Sequence, residues 1–223
     1  YNSCGDHGPY DMGMFFPMTT LIDKLQAADP TVNINYIATC YEMAAPPSAT
    51  AFYVTSQDST IQAMPSGNLA ALIDSMINSD NTEVHMIGHS YGGWTAMNLS
   101  VILTEQYNKM VSGLFSIDPI SPNMCEPSVI RNAFKMGFDL MTNIFSMGIF
   151  DSDLSEGCRT APYDVAPDLS VYAPMWLNFF QRSGGAIQSN ALYGATNIPV
   201  PGIDHVDIAK IAYVWNQIEQ QIK

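Results

Sequence analysis

"EVHMIGHSYGGWTAMNLSVILTEQY", residues 83–107, changes its period halfway along. It opens as an apolar strand, and from Trp94 the apolar residues recur at helical spacing, while Gly88, Gly92 and Gly93 surround one serine, Ser90, between the two. A strand that passes straight into a helix needs a very tight bend. We expect the three glycines to remove side chains that would collide across it, and Ser90 to sit there in strained backbone geometry. The bend would expose the Ser90 oxygen above the carboxyl end of the strand, and the helix from Tyr91 would aim its N-terminal dipole and free N–H groups at that spot.

The flanking sequence repeats the alternation. "INYIATCY", 34–41, is a β-branched and aromatic run of the kind found in buried strands, closed by Pro46 and Pro47. "NLAALIDSMINS", 68–79, places Leu69, Leu72, Ile73 and Met76 on one helical face, with Ser66 or Asn68 as cap. "VSGLFSID", 111–118, is again a strand, ended by Asp118 and Pro119. Strand, helix, strand, helix, strand implies an α/β fold, a mostly parallel sheet flanked by helices with right-handed crossovers.

Residues 121–170 interrupt this pattern. They carry a helical stripe through Ile130, Phe134, Phe138, Met141 and Phe145, then acidic, Pro-rich sequence, and we read them as an insertion over the sheet's edge. "MWLNFFQ", 175–181, restores a strand, and "HVDIAKIAYVWNQIEQQIK" closes the chain as a helix with Ile208, Ile211, Ala212 and Trp215 inward. At 223 residues this makes one domain spanning 1–223.

Composition narrows the partners. Eight Lys and Arg against 21 Asp and Glu give a net charge of −13, which opposes nucleic acid and anionic headgroups. No apolar run approaches the ~20 residues of a membrane span. His7, His85, His89 and His205 lack metal-site spacing, so no metal or organic cofactor is expected. Four cysteines, and a chain opening at Tyr1 without Met, point to an exported protein, secreted or in the periplasm or cell envelope. Four thiols allow three pairings; Cys125 with Cys158 would staple the two ends of the insertion, leaving Cys4 and Cys40 as thiols on neighbouring strands.

A serine hydroxyl attacks a carbonyl only when a base takes its proton, and that base needs an orienting carboxylate. Asp118 leaves the sheet on the same edge as Ser90, and His205, in "PGIDHVDIAK", lies between the last strand-like segment and the closing helix. The order Ser, Asp, His, with Gly88-His89-Ser90-Tyr91-Gly92 between strand and helix, resembles the α/β-hydrolase superfamily over most of the chain. In that superfamily the acid usually follows the second strand after the elbow, but here that strand is followed by "RSGG". An Asp-Pro after the first strand resembles the pancreatic-type lipases, which favours Asp118 over Asp164, Asp168 or Asp204; Asp204 is adjacent to His205 and badly placed to meet its ring. We take His85 as a core histidine and His89 as a support for the turn.

The resemblance implies a carboxylic ester hydrolase, lipase- or esterase-like, with catalytic Ser90, Asp118 and His205 and a lid or cap in 121–170. It also implies an oxyanion hole from the Tyr91 N–H and a second N–H after the first core strand. His7-Gly8 is followed by Pro9, which has no N–H, so Asp6 is taken as that donor, ahead of Tyr10. Methionine and phenylalanine between Met12 and Phe16 and between Phe134 and Phe150 suggest an adaptable apolar groove, hence a lipid or other acyl ester and transient contact with a lipid surface. An acyltransferase or thioesterase with the same triad, an amidase, and a binding module that has lost the chemistry stay open.

Overall fold

A computed structural model of the chain describes residues 15–41, 50–55, 61–65, 69–77, 81–120, 172–182 and 188–223. The expected insertion at 121–170, Asp6, Tyr10, Asp164, Asp168, the proposed caps Ser66 and Asn68, and the side chains of all four cysteines lie outside what it describes.

The element order is α1 (Phe15–Ala28), β1 (Ile37–Tyr41), β2 (Thr50–Thr55), β3 (Ile61–Pro65), α2 (Leu69–Met76), β4 (His85–His89), α3 (Tyr91–Tyr107), β5 (Gly113–Ile117), β6 (Met175–Phe180), β7 (Thr196–Pro199), a 3₁₀ turn (Ile208–Lys210) and α4 (Ala212–Ile222). Strands β4 to β7 form an all-parallel sheet in sequential order. With helices packed on it, this is an α/β fold.

Side-chain alternation along these strands sorts the core into two layers. Leu114 of β5 lies level with Met86 and Trp176, and on that face they pack with Trp94, Met97 and Leu103 of α3 and Ala70 of α2. One residue on, Phe115 and Ile117 join Leu177 and Phe179 on the other face, against Leu21 of α1 and Val214, Trp215 and Ile218 of α4. Phe115, Ile117 and Phe179 are fully buried. A strand covered on both faces has no polar side to show, which is why "GLFSI" reads as an apolar run.

Two expectations are corrected. The strand at 37–41 does not join the parallel sheet: β1 pairs antiparallel with β2, and β2 with β3, in a separate three-stranded sheet. The closing helix also begins later than its apolar pattern suggests. Ile211 is extended, at φ −77° and ψ 135°, between the 3₁₀ turn and α4, and this break resets the helical phase. Ile208 is buried from the turn and Trp215 from the helix, Ile211 is half-buried, and Ala212 is exposed; Val214 and Ile218 complete the inward face of α4.

Candidate active site

The strand ends build the site. Ser90 follows β4, Asp118 follows β5 and Gln181 follows β6, so three successive parallel strands release their next residue at one rim, where open α/β sheets bind ligands. Backbone bonds hold the exits in step: Ser90 N–H donates to Ile117 O at 3.0 Å, Asp118 N–H to Phe179 O at 2.6 Å, and Ile120 N–H to Ser90 O at 3.1 Å.

Ser90 has φ 56° and ψ −127°, a left-handed φ that a side chain rarely adopts. A serine before a helix ordinarily turns its oxygen onto the first-turn N–H groups as a cap. Ser90 makes no such bond. Its Oγ lies instead 2.8 Å from His205 Nε2. The His205 Nδ1 lies 2.7 Å from Asp118 Oδ2. A carboxylate only accepts, so Nδ1 carries the hydrogen, and Nε2 is left with a lone pair to accept from the Ser90 hydroxyl.

Asp118 is fully buried, and its φ of 44° also lies in the left-handed region. Burial is the largest single influence on its carboxyl and raises it, but hydrogen bonds from His205, Ser189 and Gln181, with the His205 charge, outweigh it and hold Asp118 below the usual carboxylate range. The donors converge from three segments. Gln181 gives its backbone N–H to Oδ1 at 3.1 Å and its side-chain amide to Oδ2 at 3.0 Å, and Ser189 Oγ reaches Oδ1 at 2.5 Å.

Asp204 serves a different end. Its Oδ1 accepts from the N–H groups of Val206 and Asp207, at 2.9 and 2.8 Å, and so folds the turn that presents His205. His205 is itself buried, 7% exposed. His89 reaches across to another turn: its Nε2 donates to the His205 carbonyl at 2.7 Å, and the two rings stand 4.8 Å apart at 34°. Burial, then repulsion from His205, lowers His89 to about 3. His85, part-buried on β4, meets Glu83 at 3.2 Å through Nε2, while its buried Nδ1 has no partner among the described residues.

The glycines divide. A Cβ on Gly88 would lie 2.5 Å from the Gly92 carbonyl carbon and 2.6 Å from the Gly93 nitrogen, and one on Gly93 would lie 2.9 Å from the Gly88 oxygen. One on Gly92 would meet nothing within 4 Å among the described residues, so the expectation that Gly92 too relieves a collision is corrected: strand and helix touch at 88 and 93. Tyr91, the first residue of α3, is one of the first-turn positions whose N–H has no acceptor within the helix. The second expected donor, Asp6, lies outside the described residues. No three His, Cys, Asp or Glu side chains among the described residues come together as a metal site would require.

Sequence reasoning missed Gln181 and Ser189. Gln181 stands directly after β6, where the family resemblance led us to look for an acid, and an amide there donates to Asp118 instead. Ser189 carried no signal, since nothing in "AIQSNAL" marks one polar residue over its neighbours.

No known family model, curated protein or solved structure matches the chain.

Proposed function

We propose that this protein is a serine hydrolase of carboxylic esters with an α/β-hydrolase fold, and that Ser90, His205 and Asp118 are its catalytic triad. The reading is carried by the Ser90 oxygen, which forgoes the helix cap for a hydrogen bond to His205 Nε2 at 2.8 Å.

In the proposed reaction the Ser90 oxygen attacks the acyl carbonyl carbon while its proton passes to His205 Nε2. The imidazolium formed is stabilised by Asp118, whose negative charge is already secured by its other donors. The carbonyl oxygen becomes an oxyanion beside the start of α3, where the Tyr91 N–H and roughly half a unit of positive helix-end charge offset it. His205 then gives its proton to the leaving alkoxide, releasing the alcohol. A water molecule, deprotonated by the same nitrogen, hydrolyses the acyl-enzyme and restores the Ser90 hydroxyl.

We propose a lipid or other acyl ester as substrate, with residues 121–170 as lid, on the strength of the Phe- and Met-rich stripe from Phe134 to Phe150. We propose transient contact with a lipid surface on the same ground; among the described residues no helix is long and apolar enough to cross a membrane. The four cysteines support an exported location.

The test is a fluorophosphonate probe followed by p-nitrophenyl butyrate turnover. Labelling should map to Ser90, and Ser90→Ala should abolish labelling and lower turnover by at least ~10³-fold with little change in melting temperature. An unlabelled wild-type chain, or undiminished turnover in the variant, would overturn the assignment.

A further inference from the structure

Two adjacent residues at the end of β4 hold opposite ends of His205. Ser90 meets the ring at Nε2, 2.8 Å away, and His89 meets the backbone carbonyl, 2.7 Å away. The turn around His205 has its own internal bonds, from Val206 and Asp207 to Asp204, but these fix its shape and not its distance from β4. The bond from His89 ties the backbone of that turn directly to β4, beside the hold that Asp118 has on the ring. Because it starts one residue from the nucleophile, any movement of β4 carries Ser90 and the anchor of His205 together.

We propose that His89 is a positioning residue, whose Nε2–H donates to the His205 carbonyl and holds the imidazole at proton-transfer distance from Ser90. The proposal rests on the triad reading above.

The neighbourhood suits a neutral donor. His89 and His205 stand ring to ring at 4.8 Å, and His205 takes up a proton during turnover. A second positive charge there would oppose that step. Burial and the repulsion of His205 keep His89 uncharged, and the carbonyl, which only accepts, fixes its hydrogen on Nε2. A side chain with a donor at the same reach should therefore replace it, and one of similar size without a donor should not.

The variants His89→Gln, His89→Met and His89→Phe separate these cases. Glutamine places an amide N–H at about the reach of Nε2, methionine matches glutamine in length without a donor, and phenylalanine keeps a ring without one. With p-nitrophenyl butyrate, His89→Met and His89→Phe should lose roughly 10- to 100-fold in kcat with KM within about twofold, the scale of an ångström-level misplacement of a catalytic group. His89→Gln should return to within about threefold of wild type. Should one donorless variant fail to melt cooperatively, the other carries the comparison. Equal kcat in glutamine and a folded donorless variant overturns the positioning role, as does a loss expressed in KM alone. Failure of the wild-type chain to react with the fluorophosphonate defeats the triad reading instead, so the two failures are distinct.

Discussion

Gly88 and Gly92 are equivalent in the Gly-x-Ser-x-Gly pattern but not in the structure, and alanine at each should separate them. A Cβ on Gly88 would stand 2.5 Å from the Gly92 carbonyl carbon and 2.6 Å from the Gly93 nitrogen, with the Gly92 oxygen closer still. Carbon atoms in ordinary contact lie about 3.5–4.0 Å apart, so the start of α3 would have to retreat by about 1 Å, and the obstructing atoms are backbone that no rotamer change can move. Overpacking of this kind typically costs ~1–3 kcal/mol. We expect the upper end, about 3 kcal/mol, which lowers the melting temperature of a chain this size by roughly 6–12 °C. The same retreat draws the Ser90 oxygen away from His205, so fluorophosphonate labelling should slow by about 10²-fold. At Gly92 a Cβ meets nothing within 4 Å among the described residues, and its φ is not positive. In the first turn of α3 alanine is favoured over glycine by up to about 1 kcal/mol, so Gly92→Ala should melt at or above the wild-type temperature. Paired thermal melts by circular dichroism make the comparison. Coincident melts, or the lower one belonging to Gly92→Ala, would refute the steric reasoning.

Ser189→Ala removes the shortest donor to a fully buried carboxylate, and should cost about 1–3 kcal/mol in urea unfolding and lower kcat more than KM; a wild-type urea midpoint would deny Ser189 that role. Stability should also fall with acid. His89 stays neutral in the fold down to about 3 and takes a proton on unfolding near its ordinary value of 6.5, so the unfolded state binds more protons between those limits and gains as the pH drops. At pH 5 this amounts to about 2 kcal/mol, and His89→Gln should flatten the dependence of unfolding free energy on pH by that amount between pH 7 and 5; an unchanged slope would show that His89 does not contribute. Asp118, held below the usual carboxylate range, contributes in the same direction at lower pH: its stabilisation is present above the ordinary value and lost as the pH falls through the folded one.

The bend at Ser90 was legible because two periods meet there, and the two-sided core because β5 has no polar face. The three-stranded sheet was not. "IATCY" is as apolar and β-branched as a parallel core strand, and periodicity cannot tell which neighbour such a run will pair with. "IQAMP", with Ala63 and Pro65, has too little β-propensity to stand out. The start of α4 was misjudged because Ile208, Ile211 and Trp215 keep apolar spacing across a change from 3₁₀ to α geometry, which only the extended backbone of Ile211 reveals. Ser90, Asp118 and His205 stood out because each ends a strand or precedes the last helix. Gln181 and Ser189 bind through geometry the chain acquires only when β6 and the segment after it meet Asp118.

How Ser189 reaches Asp118 explains a feature that would otherwise be costly, a row of polar side chains inside the sheet's core. Trp176 Nε1 donates to Ser116 Oγ at 3.1 Å, Ser116 Oγ to Asn178 Oδ1 at 3.0 Å, and Asn178 Nδ2 to Asn197 Oδ1 at 2.8 Å and the Asn190 carbonyl at 2.9 Å. Asn197 also accepts from the Leu192 N–H and donates to the carbonyls of Leu192 and Ala195. Each group in the row has a partner, which buried polar atoms require. The row begins on β5, two residues before Asp118, crosses β6 and β7, and ends on the backbone of 190–195, directly beyond Ser189. The segment that delivers the Ser189 hydroxyl is thus fastened through side-chain hydrogen bonds to the strand that delivers the carboxylate. Apolar packing alone would hold that segment without fixing its position to the few tenths of an ångström that a 2.5 Å hydrogen bond demands.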